Sequence, residues 1–429
     1  MAAQLIITNL YIQVVLIIFE YMRIVVDLHI HSCYSRASSE DMKFENIDRI
    51  ASIKGIDVIG TGDFTHPKWR EEMKKLIEEN GLYRLEKGKT RFIISGEVCT
   101  TFKYKGKTRR IHHLIILPSI EIAEELSNRL SIYGDLKSDG RPNLSMTGAQ
   151  LVEEVMEFGE NCMVIPAHIW TPWFSLFGDK GGVDSIEECY EDQTPHICAI
   201  ETGLSSDPPM NWRVSALDSY TLVSNSDSHS LLKIGREANI IEVKELSYNE
   251  IIKTIMFNKY KVETIEVDPA YGKYHWSGHR KCGISFPPKE AKKLKGICPI
   301  CGKKMTKGVA ERVEELADRE EGEGPKDKQN FLRILPLIDL IAVALNKESF
   351  SNEVQKKYWE IVNELGNELK VLLEEPEENL KKVCGKELTE LIMMNRRNDM
   401  KIIPGYDGKY GEIKVNFLIG RRSLEDYIK

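Results

Sequence analysis

Seven short apolar runs, most of them β-branched, punctuate residues 24–223. They are Ile24-Val25-Val26, Val58-Ile59-Gly60, Phe92-Ile93-Ile94, His113-Leu114-Ile115-Ile116, Met163-Val164-Ile165, Cys198-Ala199-Ile200 and Thr221-Leu222-Val223. Each ends in a polar or Gly-containing turn, and amphipathic helical patterns such as 149–158 and 249–258 lie between several of them. This alternation predicts an α/β fold with a mainly parallel sheet or barrel, in which ligands gather at the carboxyl ends of the strands. Further on, Val354, Tyr358, Ile361, Leu365, Leu369 and Leu372 recur at helical spacing, so the C-terminal region is expected to be helical with a packed face.

The chain has 429 residues, 42% hydrophobic and 29% charged, which suits a soluble protein of two or three domains. The stretch Leu5 to Phe19 is apolar but shorter than the ~20 residues that span a bilayer, and it lacks the basic start and cleavage site of a signal peptide. Residues 1–21 are expected to be an extension ahead of a start at Met22, or disordered, the rival reading being a short membrane-associating helix; no membrane partner is expected. The net charge of −7 does not itself point to nucleic acid, but it hides a local reversal. From Lys273 to Arg312 there are eleven Lys/Arg and two acids, Glu290 and Glu311. A Glu/Gly/Lys-rich linker, 319–328, follows. The expected layout is thus a main domain over 22–265, a basic module over 266–320 and a helical domain over 321–429.

The strand ends carry the chemistry. In Asp27-Leu28-His29-Ile30-His31 the alternation of a strand sends Asp27, His29 and His31 to one side. Asp63, with His66 close by, follows the second run. Glu97 follows the third, His112 and His113 open the fourth, and His168, Glu201 and the pair Asp227/His229 follow the last three. Imidazoles and carboxylates in one cleft suit zinc, manganese and similar divalent cations, and two or three such ions can activate water and hold a phosphate.

This order of motifs resembles the polymerase-and-histidinol-phosphatase (PHP) superfamily over residues 22–260. The resemblance implies a distorted seven-stranded β/α barrel with up to three divalent metals (Mg, Mn or Zn) in its mouth and phosphoester hydrolysis. It implies His29, His31, Asp63, Glu97, His112, His168, Asp227 and His229 as ligands, with Asp227, His229 and Glu97 catalytic. Two departures weaken one metal position: Phe64 rather than His follows Asp63, and Ala37 and Ser38 stand where the family often has an acid or histidine. His112 is preferred to His113 on the H-x-L spacing alone. Glu201 fits a ligand, an outer partner or a structural acid, and is left off the ligand set.

A second constellation is His279-x2-Cys282-x15-Cys298-x2-Cys301, the spacing of a zinc ribbon. It predicts one structural zinc, with His275 competing with His279 as fourth ligand. A metal CxxC among nine otherwise scattered cysteines points to a reducing, cytoplasmic compartment. Its basic setting predicts contacts with a phosphate backbone through Arg280, Lys281, Lys292 and Lys293. Trp170 and Trp173, after His168, are candidates for reading a base.

The barrel motifs, the 204–213 segment, the 274–282 segment and Val313 to Arg319 together look like one branch of the superfamily, the endonuclease Q family of archaeal repair nucleases. That resemblance covers the chain after Met22. It implies nicking of DNA 5′ of deaminated bases (uracil, hypoxanthine, xanthine) or abasic sites. At the C-terminus, Leu424, Tyr427 and Ile428 resemble a sliding-clamp peptide with Arg421 in place of the usual Gln, although an ordinary helix end fits equally well. The rival readings are a small-molecule phosphoesterase like histidinol phosphatase, which has no use for a basic zinc module, and a DNA-binding scaffold with a dead metal site.

Overall fold

The structure, a computed structural model, describes residues 21–414. The N-terminal stretch 1–20 and the clamp-like residues Leu424, Tyr427 and Ile428 lie outside the described residues. Among the described residues, no helix is long and apolar enough to cross a membrane.

All seven apolar runs are strands. Met22–Asp27 pairs in parallel with Val58–Gly60, which pairs in parallel with Arg91–Tyr104. Lys107–Leu117 continues the sheet antiparallel to Arg91–Tyr104, and Met163–Pro166 follows antiparallel to Lys107–Leu117. Ala199–Glu201 and Thr221–Val223 form their own parallel ladder. The chain beyond each end of this set comes together where Ile30 bridges Ser228. On its other side Met22–Asp27 pairs antiparallel with Ala238–Val243, which pairs antiparallel with Val262–Glu266.

The sheet is therefore more mixed than the expected parallel one, and the cause is local. Lys105 and Gly106 both have positive φ, 48° and 74°, and they connect the third and fourth runs directly. Two such residues make the hairpin turn whose twist matches antiparallel strands, and they leave no room for a crossover helix.

Helices cover the sheet. Phe44–Lys54 buries Phe44, Ile47, Ile50 and Ala51, the face its spacing predicts. Gly148–Met156 is fixed by a capping box between Thr147 and Gln150, which satisfies two N–H groups of its first turn. The C-terminal region is helical over Leu337–Leu345, Asn352–Leu365, Glu368–Leu373, Glu377–Cys384 and Lys386–Arg396. It buries Val354, Tyr358, Ile361, Leu369 and Leu372 against Leu340, Leu388 and Ile392. Two ties join this region to the sheet: Phe331–Arg333 pairs in parallel with Val262–Glu266, and buried Lys54 meets Glu368 at 2.6 Å.

Candidate metal centre

The first and last strand-end motifs are held as one unit. Asp27 accepts the N–H of Ser226 (3.1 Å) and of Gly235 (3.0 Å), while Leu28 N donates to Asn225 Oδ1 (2.8 Å). His31 N donates to the Ser228 carbonyl at 2.9 Å. Burial pushes the Asp27 carboxyl up to about 6 against these hydrogen bonds. The result brings His29 and His31 against Asp227, some two hundred residues away in sequence.

Two groups of side chains converge there. In the first, His31 Nε2 lies 3.1 Å from Asp227 Oδ1 and 3.4 Å from Glu97 Oε2, and His29 Nε2 lies 3.7 Å from each of the same two oxygens. In the second, Glu97 Oε1 is 2.7 Å from His112 Nδ1 and 3.0 Å from His168 Nε2, which are 3.3 Å from each other. Glu97 thus lends one oxygen to each group. Ligand atoms ~2.1 Å from a tetrahedral cation sit roughly 3.4 Å apart, so these separations fit divalent ions in both groups. His29 Nε2, buried without a hydrogen-bond partner, supports that fit, because an unpaired buried imidazole nitrogen aimed between carboxylates is costly until a cation fills the space.

The electrostatics agree. Burial opposes charge on His29, but Glu201 and Glu97 raise it well above the usual imidazole range; Asp63 and the Asp227 hydrogen bond do the same for His31, also against burial. Burial also opposes the charge on Glu97 and Asp227, and the surrounding His and Arg groups nevertheless hold both carboxyls low. Burial brings His112 down to about 4 despite Glu97, leaving it neutral and able to coordinate.

Three of the strand-end residues, Asp63 (φ 48°), His168 (33°) and Asp227 (45°), are in the left-handed region. Non-glycine residues hold that conformation at a cost of ~1–3 kcal/mol only where surroundings over-determine it, as they do at functional sites.

Not every expected ligand lies in these groups. Asp63 is buried behind His31: it faces His31 Nδ1 at 3.0 Å and accepts from Ser32 N (2.7 Å), Ser32 Oγ (2.6 Å) and Ser35 Oγ (3.0 Å). With its oxygens so engaged, Asp63 orients His31 in place of binding a cation alongside it. His229 sits at the rim, its Nδ1 3.0 Å from the Asp227 carbonyl and its ring 4.2 Å from that of His31, outside both groups. His66 stacks on Tyr34 at 4.4 Å, away from the groups. His113 points the other way from His112, to Thr100 Oγ1 and Tyr190 OH, each at 2.8 Å.

Two residues join the site from outside the expected set. Both oxygens of Glu201 lie 3.1 Å from His29 Nδ1, and the carboxylate also accepts from His168 N (2.7 Å) and Asn225 Nδ2 (2.8 Å). A carboxylate only accepts, so His29 Nδ1 keeps its proton toward Glu201, and Nε2 is the nitrogen turned to the group, able to coordinate once its own proton is displaced. Arg141 Nη1 reaches Glu97 Oε2 at 3.1 Å. Glu201 was visible in the sequence as an acid at a strand end; Arg141, in a loop, had no such signal.

The sulfur constellation also assembles: His279 Nδ1 lies 3.1 Å from Cys282 Sγ and 3.4 Å from Cys301 Sγ, with Cys298 in the same group. Desolvation pushes the Cys298 thiol up, but N–H groups of Cys301 and Ile300 and the neighbouring thiols bring it down to about 6. His275 is not in the group; its Nδ1 is buried without a partner. Arg280, Lys281, Lys292 and Lys293 are exposed on this module. Of the two tryptophans, Trp173 is 36% exposed and packs edge-on to Tyr274 at 4.9 Å. Trp170, however, is 1% exposed and donates to Asn211 Oδ1 at 2.8 Å. It is a core residue, and the expectation that it meets DNA is corrected on that ground.

A solved structure of a lesion-specific endonuclease from Pyrococcus furiosus superposes on this one with a TM-score of 0.83 at 35% identity, over 95% of this chain and 98% of that one. The chain belongs to the endonuclease Q family. A second structure, of endonuclease Q with a 27-mer duplex substrate bearing an abasic lesion at its active site, matches with a TM-score of 0.82 at 35% identity, covering 95% of this chain and all of that one (100%). Among curated relatives, Methanocaldococcus jannaschii MJ0043, itself uncharacterised, is 36% identical over 272 residues, 61% of this chain and 34% of its own length. The chain thus spans only about a third of that relative. Bacillus subtilis YqxK, also uncharacterised, is 30% identical over 407 residues, 91% of this chain and 99% of its own. Residues 336–399 match the model of the MJ0043 C-terminal domain. This endonuclease Q family member therefore shares its helical C-terminal region with proteins whose functions are unassigned.

Proposed function

We propose that this endonuclease Q family member is a metal-dependent DNA endonuclease that cuts the phosphodiester 5′ of a deaminated base (uracil, hypoxanthine or xanthine) or an abasic site. The observation that carries the reading is the pair of cation-fitting groups joined through Glu97, in a chain that matches lesion-specific endonuclease structures over nearly its whole length. Divalent cations held by His29, His31, Glu97 and Asp227, and by Glu97, His112 and His168, would supply a water of lowered pKa and neutralise the scissile phosphate. The identity and number of ions, from one to three among Mg, Mn and Zn, belong to this proposal. So do the distorted seven-stranded barrel and the division at residues 265 and 320.

The chain's own groups do the rest. Glu201 and Asp63 hold His29 and His31 with Nε2 forward. Arg141, at the rim beside Glu97, offers a guanidinium fork to a phosphate oxygen. His229, its Nδ1 occupied by a backbone carbonyl, keeps Nε2 for ligation or for a proton at the leaving oxygen. In this reading the module around His279, Cys282, Cys298 and Cys301 binds one structural zinc and presents Arg280, Lys281, Lys292 and Lys293 to the backbone. A damaged base unstacks for a few kcal/mol less than a paired one, which favours lesions.

The test is a nicking assay on an end-labelled duplex with one deoxyuridine or deoxyinosine, in Mn²⁺ or Mg²⁺, comparing the wild type with Asp227→Asn. One cut immediately 5′ of the lesion, lost at least a hundredfold in the variant, is expected. Absence of a cut combined with hydrolysis of small phosphate monoesters would replace this reading with a small-molecule phosphoesterase.

A further inference from the structure

The hairpin of Arg91–Tyr104 and Lys107–Leu117 carries Lys103, Lys105, Lys107, Arg109 and Arg110 between Thr100 and Ile111, with no acid among them. Five like charges on ten residues repel one another, and ion pairs with acids of the described residues relieve only part of that charge.

Register places this charge relative to the metal centre. Cys99 pairs with His112, Thr101 with Arg110 and Lys103 with Thr108, so by alternation Glu97, His112, Arg110 and Lys103 share one face. That face begins at the carboxylate shared by both cation-fitting groups and runs outward. At ~3.4 Å per residue, the six residues from Glu97 to Lys103 carry it roughly 20 Å.

The arm is also rigidly based. Arg109 Nη1 donates to the Gly182 carbonyl, Arg110 N to Gly181 O (3.3 Å) and His112 N to Phe174 O (2.9 Å). The Arg110 guanidinium lies 5.9 Å from the Phe174 ring centroid, and that ring is stacked on His112 at 5.4 Å and 3°. Lys105 is paired with Glu188 at 2.5 Å. Exposed Lys103 and Arg110, on the face that leads to Glu97, form no ion pair among the described residues. The 171–184 loop that braces the arm is also held by Arg312, which donates to Phe177 O (3.0 Å) and Val183 O (3.2 Å). Arg312 belongs to the helix Val309–Leu316, next to the sulfur constellation. Two basic regions therefore border one loop beside the metal centre.

We infer that this hairpin is a second DNA-backbone contact, which grips phosphates about six base pairs from the scissile bond, given ~3.4 Å of duplex per base pair. The inference rests on the nuclease reading above and adds to it a surface separate from the sulfur module.

The test measures binding of the full chain to a lesion-free 30-bp duplex across a KCl series. Lys103→Ala/Arg110→Ala, both on the face described, is compared with a control, Lys356→Ala/Lys382→Ala, on exposed positions of the C-terminal helices. Each phosphate contact contributes about 0.9 to the slope of log affinity against log salt. The hairpin pair is expected to flatten the slope by about 1.8 and to weaken binding at least tenfold at 100 mM salt; the control should leave both unchanged. Trimming the duplex on each side of a deoxyuridine in turn is expected to weaken wild-type binding on one side once fewer than about six base pairs remain. A hairpin pair with the wild-type slope, in a protein that still binds and nicks, overturns the arm and leaves the nuclease reading standing. A wild type that binds no duplex overturns both.

Discussion

Replacing Glu201 by Gln tests how far the metal centre depends on a residue outside both cation-fitting groups. Glu201 is buried, and three donors point at it: His29 Nδ1 (3.1 Å), His168 N (2.7 Å) and Asn225 Nδ2 (2.8 Å). An amide keeps one acceptor oxygen but turns an NH₂ toward a donor that the carboxylate had satisfied. A buried donor left facing another donor costs about 1–3 kcal/mol. Loss of the partner that orients a metal-binding histidine weakens ions typically 10–100-fold, or about 1.4–2.7 kcal/mol. The two estimates agree. The assay is calorimetric titration of metal-stripped protein with Mn²⁺, with circular dichroism to verify the fold. A 10–100-fold weaker dissociation constant at unchanged secondary structure is expected. A constant within twofold of wild type would refute the idea that Glu201 sets the tautomer and aim of His29.

Three further outcomes follow from the geometry. His29 and His31 are raised well above the ordinary imidazole range, so at neutral pH the metal-free centre holds protons that a cation must displace. Apparent Mn²⁺ affinity should rise with pH and level off only above the raised values, and calorimetry in buffers of different ionisation enthalpy should detect proton release near pH 7; no release would contradict the sign. Lys54→Met leaves Glu368 charged in the interior and should cost about 3–5 kcal/mol in urea unfolding, while Lys54→Met/Glu368→Gln recovers a large part. A double variant no more stable than the single one would count against the charge as the cause. Cys298→Ser should lower bound zinc by about one equivalent per chain in atomic emission and expose residues 280–305 to protease, while leaving the C-terminal helices resistant.

The sequence showed the strands and most of the centre because both follow from local rules. Seven apolar runs have nowhere to go but a sheet, and strand alternation sends His29 and His31 the same way. What it did not show depends on which way a side chain faces across the fold. An acid at a strand end looks the same in sequence whether, like Asp227, it joins a cation-fitting group or, like Asp63, it braces the back of an imidazole. Arg141 reaches Glu97 from a loop that no periodicity places. Trp170 and Trp173 are three residues apart and chemically alike, yet the turn buries one and exposes the other. The antiparallel hairpin escaped notice because its turn uses Lys105, not Asn or Asp, at positive φ.

The contact between Arg141 and Glu97 has a kinetic consequence. The guanidinium is engaged with a carboxylate of both cation-fitting groups. On the proposed function, a cation held at Glu97 would compete for that oxygen and leave Arg141 available to a phosphate. Binding would then be ordered, ion first and DNA second, and a protein without its ions would bind its substrate poorly. Premixing protein with Mn²⁺ before DNA should remove a lag in rapid-mixing nicking traces that appears when protein and DNA are combined first; traces independent of mixing order would exclude that sequence.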